Sequence, residues 1–303
     1  MAARKINIDD PEYPKNLKNI HKPPKELYVN GTLEKRDEIA VAIVGSRRAS
    51  MYGLEMAEKL AFELALRGVT VVSGMARGID SAAHKGALKA NGRTIAVMGS
   101  GHNVIYPPEN RRLYDQIITS GAVITEYEDD MPPLPENFPA RNRIISGLSL
   151  GVVVVEAARN SGALITANFA AEQGREVFAV PGKVSSATSA GTNELIKDGA
   201  RLVQSVEDII EELKIREMEP ISSEDRKKID SKIEKMTRAY IYNSLTKDER
   251  TLYKILSEEP LHIDEITFRS GFDTAKVSKL LLGLQLKKLI REIPGKQFVR
   301  KGE

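Results

Sequence analysis

Apolar and polar positions along the first 213 residues alternate between two periods. Uninterrupted apolar, largely β-branched runs at 39–44, 69–72, 94–98, 122–125, 151–155 and 176–180, with a short one at 202–203, read as strands covered on both faces. Between them the period becomes that of an amphipathic helix. Residues 53–67 place Leu54, Ala57, Leu60, Ala61, Leu64 and Ala65 on one face, and Gly68 ends the turn. Further helices are expected at 81–90, at 109–119 (entered through Pro107-Pro108), and at 143–148, 163–173, 191–197 and 206–213. Strands alternating with helices predict an α/β domain over 39–213: a doubly wound, mostly parallel Rossmann-like sheet with right-handed crossovers.

The flanking segments follow other patterns. Residues 1–38 carry Pro11, Pro14, Pro23 and Pro24, which disfavour helix. They are expected to form a strap along the sheet, with residues 27–29 as an edge strand. Residues 214–243 are dense in charge and poor in large apolar side chains. They read as a linker whose basic run Arg226-Lys227-Lys228 is solvated. From residue 244 to 303 the helical period returns. Leu252, Ile255 and Leu256 mark one helix, and residues 262–268 form a second. Val277, Leu280, Leu281 and Leu284 mark a third over 274–288, capped by Asp273. Residues 289–300 then read as a hairpin around Pro294-Gly295-Lys296. Three helices and a hairpin predict a small winged-helix domain. Its third helix offers Lys276, Lys279, Lys287 and Lys288, but no arginine or asparagine suited to base edges. Nucleic acid and protein are therefore equally open as its partner.

Composition narrows the class of protein. At 303 residues the chain can bury one large core and a small second one. It has no cysteine, which removes disulfides and thiolate metal sites and fits a reducing cytoplasm, the expected location. No run approaches the roughly 20 apolar residues of a membrane helix. The first residues have no apolar h-region, so a secretory signal is not expected. Net charge is only +3, so any nucleic-acid surface is a local patch. His21, His84, His102 and His262 fall in separate segments without metal-ligand spacing, and neither a metal nor a cofactor is expected.

Candidate chemistry gathers where the strands end. Ligands of open parallel sheets bind beyond the carboxyl ends of the strands. Gly45-Ser46-Arg47 closes the first strand, and Gly74-Met75-Ala76-Arg77 follows the second. Glycine uncovers backbone N–H groups and arginine supplies charge, a combination suited to phosphate. The third strand ends at Gly99-Ser100-Gly101. Neither a dinucleotide fingerprint nor a P-loop is present: Val104 stands where a third glycine belongs, and Val184 follows Gly182-Lys183. Arg141 and Arg143 are expected on loops at the same edge, with Phe138 beside them. Arginine for phosphate and a ring for the base is the pairing that single-stranded nucleic acid asks for, the alternative being that Phe138 plugs the core. Glu126 and Glu156 end two strands, as a general base would, or as partners that orient arginines. Asp80 and His84, four apart on a helix, read as a cap and a surface histidine.

Several ordered motifs resemble the bacterial DNA-processing family DprA, also called Smf. They are Gly45-Ser46-Arg47, the run from Ser73 to Asp80, Tyr106-Pro107-Pro108-Glu109-Asn110 and the run from Phe138 to Ser149. Glu156, Ser161-Gly162-Ala163-Leu164, Pro181-Gly182 and Gly191-Thr192-Asn193 follow in the same order. The resemblance runs from about Ile6 to Leu213, and a winged-helix tail is common in the family. It implies a dimeric Rossmann-like protein that binds single-stranded DNA without catalysis. Such a protein protects incoming DNA during natural transformation and helps load the RecA recombinase. By resemblance the pocket uses Arg47 and the backbone around Gly45, Ser46 and Gly74, with Phe138, Arg141, Asn142 and Arg143 lining the rest. Arg77 and Gly101 join them from the strand-end reading. The implied partners are single-stranded DNA, RecA and a second copy through the sheet domain, with no membrane. Some members carry a basic residue just before the phenylalanine, where this chain has Leu134-Pro135-Glu136. Many also carry a small helical domain ahead of this region, and this chain starts without one. An alternative is a nucleotide phosphoribohydrolase on a related fold, with Glu156 as the acid. Its Pro-Gly-Gly-x-Gly-Thr run is split here between Pro181-Gly182-Lys183 and Gly191-Thr192, which disfavours it.

Overall fold

Val41, Ala42, Ile43, Val71, Val72, Val152, Val153 and Val154 are fully buried, and the runs that carry them form the centre of a sheet in the computed structural model. The structure describes residues 3–215 and 245–300 other than 258 and 288, with scattered positions from 231 to 243. Arg226-Lys227-Lys228, expected as a solvated run, and Lys288 lie outside the described residues. The chain divides into two units, 1–220 and 221–303.

Among the described residues the first unit holds nine strands. In chain order they are β1 (Arg4–Asn7), β2 (Glu26–Gly31), β3 (Ala40–Val44), β4 (Thr70–Ser73), β5 (Thr94–Val97), β6 (Ala122–Thr125), β7 (Gly151–Val154), β8 (Glu176–Ala179) and β9 (Arg201–Leu202). The helices are α1 (Lys15–Lys18), α2 (Met51–Leu66), α3 (Ile79–Lys89), α4 (Arg111–Ser120), α5 (Asn137–Gly147), α6 (Gly162–Glu172), α7 (Ala190–Lys197) and α8 (Val206–Glu212). Across the sheet the order is β1-β2-β6-β5-β4-β3-β7-β8-β9. Pairing is parallel from β6 to β9, and β2 alone runs against the rest, antiparallel to both β1 and β6. Local chemistry fixes the helix starts. Ser50 accepts the Gly53 N–H at 3.1 Å to open α2, and Ser161 accepts the Ala163 N–H to open α6.

Three expectations change. Residues 1–38 are not a strap lying along the sheet but enter it as β1 and β2. Residues 27–29 lie one place in from the edge, because β1 folds back to pair Ile6 with Leu27. Ile6, Leu27 and Val29 are buried in the main core, so apolar burial drives this pairing. The stretch after β2 is held to the sheet by Arg93. Its guanidinium donates to Asp37 at 2.8 Å, to Glu34 at 2.7 Å and to the Thr32 carbonyl at 2.7 Å. Second, the helix expected at 143–148 starts six residues earlier. Pro139 occupies its first turn, where the missing N–H has no intrahelical partner to lose. Phe138, Arg141 and Asn142 thereby move from a loop onto a helix, and Arg143 moves from its first position to its middle. Third, His84 is in the core, not on the surface. Its Nδ1 lies 2.7 Å from Thr94 Oγ1, and burial pushes its imidazole down to about 3. Nor is Asp80 the helix cap: Gly78 holds that position without a side-chain bond, and Asp80, in the first turn of α3, accepts the Ala76 N–H of the preceding loop at 3.4 Å.

The second unit is a winged helix. It runs α9 (Lys247–Ile255), β10 (Leu261–His262), α10 (Ile263–Ser270), α11 (Thr274–Leu286), β11 (Ile290–Ile293) and β12 (Gln297–Arg300). Leu252, Ile266, Val277, Leu281, Leu284 and Phe298 form its core. The hairpin gains a third, two-residue strand that pairs Leu261 with Phe298, too short to leave a periodic signal. Two of the lysines expected to arm the third helix are paired with acidic residues of α9 instead. Lys276 pairs with Asp248 at 2.8 Å and Lys287 with Glu249 at 2.8 Å. The same helix exposes Leu282 and Leu286.

Candidate nucleic-acid interface

From β3 the chain winds to β4, β5 and β6 on one side, then crosses to β7 on the other side of β3. The loops after β3 and β7 therefore leave the sheet in opposite directions and open a crevice between them. This is the topological switch point where ligands of open α/β sheets bind. A cleft of about 690 Å³ occupies this place. Gly45, Ser46, Arg47 and Arg48 line one side, Asn160, Ser161 and Gly162 the other, and Phe138 and Tyr106 complete the wall.

Glu156, just past β7, sets the shape of the β3 loop. Its carboxylate accepts the Ser50 N–H at 2.8 Å and the Ser50 hydroxyl at 3.2 Å. Its backbone carbonyl accepts the Ser46 N–H at 2.7 Å. Ser46 in turn accepts the Ile79 N–H through its carbonyl at 3.2 Å. Four bonds thus tie both ends of the loop down, and the arginines between them project from a fixed base. Glycine is obligatory at two points of this packing. A Cβ on Gly45 would lie 2.6 Å from the Ile79 side chain, and one on Gly53 would lie 2.2 Å from the Glu156 carboxylate.

Arg47 is exposed, with its guanidinium carbon 5.2 Å from the centre of the Phe138 ring, a cation–π contact. The opposite approach to that ring is backed by Gly99, where a Cβ would come within 3.0 Å of Phe138 Cδ1. Phe138 is half-buried: it stands on the sheet edge as a wedge and is not part of the core clusters. Asn142 donates to the Gly162 carbonyl at 3.3 Å, joining α5 to the start of α6 across the cleft floor.

The other candidate residues are placed differently. Arg141 is buried and points under the strand ends. It donates to the Gly74 carbonyl at 2.7 Å and to the Val97 carbonyl. Gly74 serves this insertion, since a Cβ there would lie 2.1 Å from the Arg141 guanidinium. Burial pushes the guanidinium down to about 10, an effect opposed by buried Asp80, so it stays charged at neutral pH. Asp80 is itself raised above the usual carboxylate range by burial, with Arg141 opposing. Arg143 pairs with Glu126 at 2.5 Å, outside the cleft lining. Arg77 is on the surface and pairs with Glu109. Gly101 packs on the backbone of Glu128 and Asp129. The structure therefore brings Gly45, Ser46, Arg47, Phe138 and Asn142 together around the opening, with Arg141 beneath them. It leaves Arg77, Arg143, Gly74 and Gly101 outside.

Sequence reasoning missed Arg48, Asn160 and Tyr106. Arg48 directly follows the singled-out Arg47, and Tyr106 opens a quoted motif, so both were within reach. Asn160 had no signal, because its place depends on β7 lying beside β3. The two features that would have supported a phosphoribohydrolase are occupied. Glu156 is committed to the β3 loop. Gly182 gives its N–H to Asn193 Oδ1 and receives the Asn193 amide at its carbonyl, both at 3.1 Å.

Comparison with known proteins identifies the family. A family model described as DNA recombination-mediator protein A matches residues 4–214, and one for the DprA winged helix domain matches 241–296. Protein Smf of Escherichia coli (strain K12) is 49% identical over 209 residues. That match takes in 69% of this chain but only 56% of the Smf sequence. The X-ray structure of DNA processing protein A from Streptococcus pneumoniae superposes with a TM-score of 0.65 at 43% identity, covering 69% of this chain and 74% of that one. DNA processing protein A from Helicobacter pylori, described for its single-stranded DNA binding mode, gives a TM-score of 0.63 at 32% identity, covering 71% of this chain and 99% of that one. By the match over 4–214, by these relatives and by its winged-helix tail, the chain belongs to the DNA recombination-mediator protein A (DprA/Smf) family.

Proposed function

We propose that the chain binds single-stranded DNA in the cleft between the β3 and β7 loops and acts as a recombination mediator, not as an enzyme. One observation carries the reading. Arg47 and Arg48 line an open cleft and form no salt bridge among the described residues, beside the rings of Phe138 and Tyr106. Unpaired arginines meet phosphates, and rings meet bases only when the bases are unstacked. The single-stranded DNA binding described for the Helicobacter pylori protein supports the same reading. Family resemblance extends it to protection of incoming DNA in natural transformation and to loading of the RecA recombinase. It also extends it to a homodimer through the sheet unit and a cytoplasmic setting.

The test compares a single strand and a duplex of equal length by fluorescence anisotropy, with the full chain and with a chain ending at Pro220. The single strand is expected to bind more tightly by about tenfold or more, since each stacked base contributes about 1–3 kcal/mol. The shortened chain is expected to keep most of that affinity, because two lysines of α11 are spent on Asp248 and Glu249. Equal affinity for the duplex contradicts the reading. A tenfold loss in the shortened chain, still folded by circular dichroism, would move the site to the winged helix.

A further inference from the structure

The cleft has a second ring that is less committed than the first. Tyr106, in the segment between β5 and α4, is 38% exposed, whereas Tyr13 and Tyr114 of the same unit are each 4% exposed. Its ring centre lies 5.5 Å from that of Phe138, with the planes tilted by 50°. At that tilt the two rings are not stacked face to face on each other. Phe138 already carries Arg47 over its ring and Gly99 behind it. Tyr106 is held in place from the far side of its own segment. Asn110 donates to the Met75 carbonyl at 2.7 Å and to Ser81 Oγ at 2.9 Å, which pins residues 107–110 against the loop after β4. The ring is therefore presented to solvent on a fixed mount.

Two rings beside two unpaired arginines repeat the composition of two nucleotides, each bringing one phosphate and one base face. We propose that Tyr106 is a second stacking ring, so that the cleft takes two unpaired nucleobases, one on Phe138 and one on Tyr106. This rests on the reading of the cleft as a single-stranded DNA site. It adds a footprint to that reading and a residue whose hydroxyl is dispensable and whose ring is not. Stacking on an open ring also requires a base free of its partner strand, so Tyr106 contributes to the discrimination against duplex.

The experiment measures binding of a fluorescein-labelled oligo-dT to the full chain and to Tyr106→Phe, Tyr106→Leu and Tyr106→Ala, with Arg47→Ala and Phe138→Ala alongside. An abasic oligonucleotide of the same length serves as the second probe. Tyr106→Phe is expected to bind like the parent. Tyr106→Leu and Tyr106→Ala are expected to lose about tenfold on oligo-dT, to lose nothing on the abasic strand, and to leave the salt dependence unchanged. Tyr106→Leu keeps apolar bulk, and a melting curve for each variant confirms that the fold is retained. Parental affinity in Tyr106→Leu and Tyr106→Ala, with Arg47→Ala and Phe138→Ala weakened, overturns the second ring and leaves the cleft reading standing. A loss in Tyr106→Phe equal to that in Tyr106→Ala overturns stacking in favour of a hydroxyl contact. Parental affinity in all of the variants, Arg47→Ala and Phe138→Ala included, overturns the cleft reading and this inference with it.

Discussion

Arg141→Ala is expected to destabilise the protein by about 3–5 kcal/mol, the range for breaking a buried charge cluster from one side. The physical case rests on what the side chain leaves behind. The Gly74 and Val97 carbonyls lose their donor, and Asp80 loses the cation that opposes its burial. The channel opened by Gly74 is left empty. Strands β4 and β5 both end on this group, so the damage falls at the centre of the parallel sheet. Urea unfolding of the full chain measures it directly, read as the midpoint of the transition from the sheet unit. Arg47→Ala, on an exposed loop, is expected to leave that midpoint unchanged. If Arg141→Ala kept the parental midpoint and lost DNA affinity, Arg141 would be a phosphate ligand and not a support beneath the site.

Phe138→Ala is expected to weaken single-strand binding by about 1–3 kcal/mol, the contribution of one base stacked on an aromatic ring. The loss is expected at every salt concentration, because the ring carries no charge. Its cost in stability is expected to be small beside that of Arg141→Ala. The ring is half-buried and lies outside the core clusters, resting on Gly99 and touching Arg47 and Tyr106. Thermal melting and an anisotropy titration on the same sample separate the two effects. A large fall in melting temperature, with affinity per folded molecule unchanged, would make Phe138 a plug for the sheet edge.

Much of this architecture was legible in the sequence because it is written locally. The strand runs are apolar without alternation, the helices between them have an apolar face, and apart from the early start of α5 both read correctly to within a few residues. Arg47 and Phe138, which the structure places on one cleft, stood out in the sequence because glycine, arginine and a loop aromatic form a recognisable chemistry at strand ends. Strand order was not legible. That β7 lies against β3, pairing Val41 with Gly151 and Val44 with Val154, is recorded in no local period, yet it decides which loops form the cleft. The same gap misplaced Arg141. Its partner carbonyl at Gly74 is 67 residues away, and the sign of that contact in the sequence was the glycine itself, read as a phosphate turn. Arg77 was counted as a free charge because its carboxylate, Glu109, comes from another element, whereas Glu126 was already open as an arginine-orienting partner and pairs with Arg143. In the winged helix, acidic residues in the first turn of α9 absorb the lysines of α11, a pairing visible only once the helices pack.

The central claim is that Arg47 meets a phosphate of single-stranded DNA in the cleft, and the salt dependence of binding tests it most directly. Affinity for one oligo-dT is measured across a series of salt concentrations, with the full chain and with Arg47→Ala. If Arg47 neutralises a phosphate, the variant binds more weakly at low salt. The slope of log affinity against log salt then falls in magnitude by about 0.7, the counterion release of one contact on a single strand. Parallel lines for the two proteins would contradict the claim, and would make the Gly45-Ser46-Arg47 turn a structural feature of the sheet edge.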